Sequence, residues 1–314
     1  MKKKAIIVSI KGYKLSRKER LLLSKENPWG LILFQRNLKS LKQAQKLIKN
    51  IKECTNDKKF PILIDEEGMK VSRLSHTYNH NLNANFFGHL LEKDRDKGIS
   101  IYKTYLKSLC NVLRKIGINI NTIPVLDVLR NNTNSIIGVR SFSKNKEIVK
   151  HLGKITISEC HAQNILTVIK HIPGHGCSSK DSHLTLPKVN LSKGLLNKID
   201  FYPFKSTKSK LAMTAHILYS KVDPKYVSTF SKKIIKEIIR EKIGYKGILM
   251  SDDISMKALK YDLITNAKKA LDAGCNLVLY CKGNIKDNLK LIKAVPYIDK
   301  FTPKKTSEIY KILR

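Results

Sequence analysis

The sequence predicts a parallel α/β protein closed into a single-domain (β/α)8 barrel of the TIM type. Three observations carry this. Eight short apolar runs, many rich in β-branched residues, recur along the 314 residues. Lysine-rich amphipathic segments of helical spacing separate most of them. Titratable residues stand at the C-terminal ends of five consecutive runs, the third to the seventh, where barrel enzymes keep their chemistry. The competing architecture is an open doubly wound sheet. Its usual nucleotide-binding signatures, G-x-G-x-x-G and G-x-x-x-x-G-K-[ST], are absent.

In chain order, the expected strands are residues 5–10, 31–34, 62–64, 118–126, 165–169, 211–217, 247–250 and 276–281. Helices are expected over 41–51, 101–116, 148–165 and 234–243, where apolar residues recur at helical spacing among lysines. The segments 76–87 and 129–143 read as irregular, the second carrying Arg140. The basic tail from Lys300 is expected to end in a short helix, and the whole chain, 1–314, to form one catalytic domain.

The net charge of +36, from 61 basic and 25 acidic side chains, raises the question of a nucleic-acid or anionic-membrane partner. The lysines are scattered along the whole length, and no nucleic-acid-binding motif accompanies them. They are read as a solvated surface, with no specific nucleic acid and no membrane as partner. Six cysteines without zinc-ligand or disulfide spacing fit a reduced, cytoplasmic protein. No run is long and apolar enough to span a bilayer, and the run behind Lys2-Lys3-Lys4 is too short for a signal peptide.

Chemistry concentrates between Lys170 and His183, where Lys170, His171, His175, Lys180, Asp181 and His183 follow the fifth strand. Pro173, Gly174 and Gly176 end that strand and open a loop. Asp181 and His183 are two apart, so in extended backbone their side chains point the same way, and a carboxylate beside an imidazole orients it for proton transfer. The other strand ends carry Asp65-Glu66-Glu67, Asp127, His216 and Asp252-Asp253. Three readings fit these residue types. A glycosidase would use Asp252 and Asp253 with Asp181 and His183, and would hold sugar hydroxyls with Asp65, Arg73, Arg140, Lys170 and His171. A metal-dependent hydrolase would ligate through His171, His175, His183 and Asp252, although no H-E-x-x-H is present. A nucleic-acid binder using charge alone leaves the clustered Asp and His residues unexplained.

Lys170 to His183 resembles the K-H-[FI]-P-G-H-G-x₄-D-S-H segment of family 3 glycoside hydrolases, in particular the bacterial β-N-acetylhexosaminidases of peptidoglycan recycling. Trp29 to Asn37 is similar to that family's second-strand signature. Asp65 to Leu74 is similar to its D-Q-E-G-G-R-V-x-R-L. Pro124 to Val128, Arg140-Ser141-Phe142 and Ser251 to Met256 follow in the same order. The resemblance implies hydrolysis of terminal β-linked N-acetylglucosamine with retention, with Asp252 as nucleophile, His183 as acid/base and Asp181 as its partner. It also implies a sugar-binding set of Asp65, Arg73, Arg140, Lys170 and His171, no cofactor or metal, a mobile loop after strand five, and muropeptides as natural substrates. A family 3 β-glucosidase-like specificity is the nearest alternative. Three positions depart from the pattern: Glu66 replaces glutamine, Met69 glycine and Lys70 arginine. Lysine lacks the guanidinium fork. The three departures fall beside the presumed sugar hydroxyls and bear on affinity and fine specificity.

Overall fold

The eight apolar runs become the staves of a closed barrel. The computed structural model describes residues 2–78, 80–182 and 184–313. The strands are β1 (Lys4–Ser9), β2 (Pro28–Leu33), β3 (Ile62–Ile64), β4 (Ile120–Asn121), β5 (Leu166–Ile172), β6 (Leu211–Thr214), β7 (Ile248–Asp253) and β8 (Leu277–Leu279). Every neighbouring pair is parallel, and β8 closes on β1 through Ile6–Val278 and Ile7–Leu279. The chain is a (β/α)8 TIM-type barrel.

The strands are largely apolar because both faces are covered, with polar residues gathered mainly toward their C-terminal ends. Ala5, Ile7, Leu63, Ile120, Val168, Met213, Met250 and Leu279 belong to one buried cluster, which also takes in Ile309 and Leu313 of the C-terminal segment. Their neighbours Ile6, Val8, Ile62, Ile64 and Val278 belong to the larger cluster shared with the helices. The tail helix, expected to be short, runs Phe301–Ile312 and is tied to the barrel by Trp29 Nε1 donating to Thr306 Oγ1 at 2.9 Å.

Several boundaries differ from expectation for local reasons. The fourth strand is continuous only over Ile120–Asn121, is interrupted before Pro124, which has no N–H for a ladder, and pairs again with β5 at a Val125–Lys170 bridge. Strands five and seven run further than expected, so Lys170 and His171 lie within β5, and Asp252 and Asp253 within β7. The sixth ends at Thr214, which leaves His216 beyond it. The segment 76–87, read as irregular, contains the start of a helix, Ala84–Lys93, capped by Asn83 accepting from Phe86 N. The expected helices are present as Leu41–Thr55, Arg95–Ile116, Lys146–Ala162 and a π-helix, Ile234–Lys242. No helix among the described residues is long and apolar enough to cross a membrane.

Candidate active site

The C-terminal ends of β3, β4 and β5 meet in a buried ionic network. Asp65 Oδ2 accepts from Arg73 Nη2 at 3.0 Å, and its Oδ1 accepts from the Thr122 hydroxyl. Lys170, almost fully buried, donates to Thr122 Oγ1 at 2.8 Å and lies 3.4 Å from Asp65 Oδ1 and 2.5 Å from Glu67 Oε1. Arg140 grips Glu67 with both prongs, Nε to Oε2 at 2.7 Å and Nη2 to Oε1 at 2.9 Å, while Nη1 donates to the Ile136 carbonyl. Burial alone would raise both acids. Lys170, Arg73 and the Thr122 bond outweigh it at Asp65 and hold that carboxyl below the usual range. Arg140 and Lys170 do the same at Glu67 and hold it at about 2. Two carboxylates are thus ionised beside three cations, and Asp65 keeps lone pairs for a ligand's hydroxyls.

A linkage prediction follows for Glu67. Its folded pKa is depressed, so its contribution to stability is present above the ordinary carboxylate value. That contribution is lost as pH falls from the model-peptide 4.5 toward about 2. In Glu67→Gln, the deficit in thermal midpoint relative to wild type should therefore be largest above that window and shrink through it. A deficit that stays constant across the window would show that the carboxylate charge is not what the pair needs.

A second cluster surrounds Asp127, which is fully buried. Its Oδ2 lies 2.7 Å from His171 Nδ1, and Oδ1 accepts from the backbone N–H of His175 at 2.6 Å and of His171 at 3.3 Å. Burial pushes this carboxyl up, but His171 and the His175 N–H bring it below its ordinary value. An ionised carboxylate only accepts, so His171 Nδ1 carries the proton. His175 reaches Asp127 through its backbone. Its ring is buried, and burial followed by the neighbouring His171 pushes it down to about 4.

Across the mouth, Asp252 and Asp253 end β7. Asp252 Oδ1 accepts from the N–H of Asp253 at 2.8 Å. Asp253 spends its own carboxylate on Ser255, at 3.1 Å to the backbone N and 2.7 Å to Oγ, and on Cys281 N at 3.3 Å. Its carboxyl is raised, chiefly by burial, with Asp252 adding to the effect. His216 lies between the clusters: burial lowers its pKa, the Asp252 carboxylate opposes this, and His171 reinforces it. Cys281 feels Asp253, Asp65 and Asp252, although burial is the main reason its thiol is pushed far up. Asp65, just after β3, and Asp252, at the end of β7, stand at the same C-terminal end of the closed parallel barrel.

The loop after β5 carries Asp181, which is half-buried and whose carbonyl accepts from Leu184 N at 3.2 Å and Thr185 N at 3.0 Å. His183 lies outside the described residues. Ala258, in the loop after β7, donates to the Ser182 carbonyl at 3.2 Å, which brings the Asp181 segment to the Asp252 side of the mouth. Two glycines of this loop are closely packed. A Cβ on Gly176 would lie 1.9 Å from the Val128 carbonyl, and one on Gly174, at φ +142°, would strike Asp200. Arg130 donates from Nε and Nη2 to Asp200, and Thr133 and Asn134 hold the carbonyls of Gly176, Ser178 and Ser179. In this conformation Gly174 and Gly176 permit close packing against Asp200 and Val128.

Sequence reasoning did not place Glu67 or Thr122 in the site. Thr122 carries no local signal at all. Asp127 stood out as a strand end, but nothing local paired it with His171. Of the three departures, Met69 is exposed with no left-handed backbone, and Lys70 donates to the Ser135 carbonyl, bridging two rim loops. Glu66 is fully buried, its carboxylate contacting the Arg73 and Leu74 backbone N–H groups and the His80 ring. Among the described residues, no three His, Cys, Asp or Glu side chains are grouped to hold a metal ion.

Residues 2–304 match the model of the glycosyl hydrolase family 3 N-terminal domain. The chain belongs to this family. It is a glycoside hydrolase. A beta-hexosaminidase of Actinobacillus succinogenes is 32% identical over 305 residues, covering 94% of this chain and 87% of that protein. One from Haemophilus influenzae is 32% identical over 304 residues, covering 93% and 85%. In fold, the chain is similar to NagZ from Neisseria gonorrhoeae, solved in complex with N-trifluoroacetyl-D-glucosamine. That likeness has a TM-score of 0.89 and 28% identity, and covers 100% of this chain and 90% of that one.

Proposed function

We propose that this family 3 enzyme is a retaining β-N-acetylhexosaminidase that releases a terminal β-linked N-acetylglucosamine. The whole chain would act as one catalytic domain without a cofactor. The observation that carries the reading is that Asp252, its carboxylate held by the Asp253 N–H, ends β7 at the same end of the barrel as the Asp65–Arg73–Lys170 ionic network. Likeness to a protein that holds an N-acylglucosamine analogue supports the sugar.

In this mechanism Asp252 attacks the anomeric carbon as the glycosidic bond breaks, and His183 gives its proton to the leaving oxygen. A glycosyl ester on Asp252 remains. Water then attacks the same carbon, His183 takes the water's proton, and Asp252 leaves as a carboxylate. Asp181 steadies the imidazolium. A histidine acid/base suits a site that already holds the negative charge of Asp252 and must accept an acidic substrate, because a His–Asp pair moves the proton without a further net negative charge. Asp65, Arg73 and Lys170 would bind hydroxyls, with Arg140 and His171 completing the sugar-binding set. N-acetylglucosaminyl-anhydro-N-acetylmuramyl peptides of wall turnover are the natural substrates we favour. The six free cysteines fit a cytoplasmic enzyme.

Aryl β-glycosides that differ only at the 2-position test this. Aryl release from the N-acetylglucosaminide, and not from the glucoside, is the expected outcome. Release from the glucoside alone would assign the chain to a β-glucosidase-like specificity instead.

A further inference from the structure

We propose that Glu66 and His80 form a dyad that positions Arg73 for the sugar. The inference rests on the reading of Arg73 as a sugar-binding residue. Glu66 is one of the positions where this chain departs from the pattern it resembles, with a carboxylate in place of a carboxamide. The carboxylate is fully buried, and a buried carboxylate is tolerated only where donors surround it.

Here three donors do so. Glu66 Oε2 accepts from the backbone N–H of Arg73 at 2.7 Å and of Leu74 at 2.9 Å. Oε1 lies 2.9 Å from His80 Nε2. Because the carboxylate can only accept, His80 Nε2 carries a proton. The other ring nitrogen, Nδ1, lies 3.3 Å from the Tyr105 hydroxyl. Burial first, then Tyr102 and Glu66, keep that hydroxyl protonated, so it remains available as a donor. Tyr78 and Tyr105 flank the imidazole, with ring centroids 5.3 and 5.5 Å away.

The consequence is a rigid path from the helix Arg95–Ile116 to the mouth. Tyr105 holds His80, His80 holds Glu66, and Glu66 fixes the backbone of the two residues that aim the Arg73 guanidinium at Asp65. The Glu66 backbone is itself clamped, its N–H by Asn121 Oδ1 at 3.0 Å and its carbonyl by Asn121 Nδ2 at 2.9 Å. With the backbone fixed, the side chain is free to serve the turn. Neither dyad member is proposed to touch substrate, so the signature is a change in substrate affinity inherited from Arg73. A misplacement near 1 Å costs up to about 10²-fold in a well-built site, which sets the ceiling.

The test compares KM and kcat on an aryl N-acetyl-β-glucosaminide for His80→Ala, Glu66→Ala, Glu66→Gln, Arg73→Ala and the His80→Ala/Arg73→Ala double variant. His80→Ala and Glu66→Ala should each raise KM about tenfold with kcat changed less than about threefold, the pattern of lost binding rather than lost chemistry. Glu66→Gln keeps an oxygen for both N–H groups and should restore most of the KM. The double variant should be no worse than Arg73→Ala alone, since the dyad acts only through that side chain. If Glu66→Ala does not fold, His80→Ala and the double variant decide. Unchanged KM in His80→Ala beside a raised KM in Arg73→Ala would overturn the dyad, as would a double variant whose losses multiply. An unchanged KM in Arg73→Ala would instead overturn the sugar-binding reading beneath it.

Discussion

Replacing Asp252 by alanine should cost roughly 10⁴–10⁶-fold in kcat on every substrate, the scale seen when the nucleophile of a coupled catalytic set is removed. Nothing nearby can replace it. Asp253 has its carboxylate committed to the Ser255 N–H and hydroxyl and to the Cys281 N–H, which turns it away from attack. The two acids should separate cleanly. Asp252 is partly exposed, so its removal should leave the thermal midpoint close to wild type. Asp253→Ala strands the Ser255 and Cys281 N–H groups and should lower it. A kcat for Asp252→Ala within tenfold of wild type, or a larger kcat loss for Asp253→Ala without loss of stability, would remove Asp252 from its role.

The second large effect concerns the proton. If His183 protonates the leaving oxygen, its loss is felt most when that oxygen becomes a basic sugar alkoxide, and least when it becomes a nitrophenolate. His183→Ala should therefore lose more on a disaccharide than on the nitrophenyl glycoside, by a factor on the order of 10²–10⁴ in single-turnover glycosylation. Asp181→Asn should move the same way by less, because it keeps a neighbour for the ring and loses only its charge. Hydrolysis of the glycosyl ester also needs the base, so a burst of nitrophenolate should precede a slow steady state. Equal losses on both substrates would leave the His183–Asp181 pair as a binding feature.

The barrel was legible because most stave residues are buried on both faces and so read as predominantly apolar runs. Strand ends were less so: β4 is interrupted around Ile123 and Pro124 and rejoins β5 only at a Val125–Lys170 bridge, and Lys170 and His171 extend β5 despite their polarity. The acids at strand ends were also visible, since barrel topology dictates where they must point. Their partners were not. Lys170 meets Asp65 across 105 residues and Arg140 meets Glu67 across 73, pairings that exist only once the barrel closes. The loop glycines show the same limit: Gly176 signals a turn in sequence, while its reason, the Val128 carbonyl, comes from another strand's loop. Glu66 stood out in sequence as a departure beside mouth residues, but its partners, the Arg73 and Leu74 N–H groups and His80, come into view only in the folded chain.

Retention through a glycosyl ester on Asp252 is the central claim, and trapping that ester tests it most directly. A fluorinated N-acetylglucosaminide that forms the intermediate faster than it hydrolyses should add one sugar to the intact mass of the enzyme. Peptide mapping should then place the sugar on Asp252. An enzyme that turns the analogue over with no adduct, or an adduct that maps to Asp253, would contradict the account.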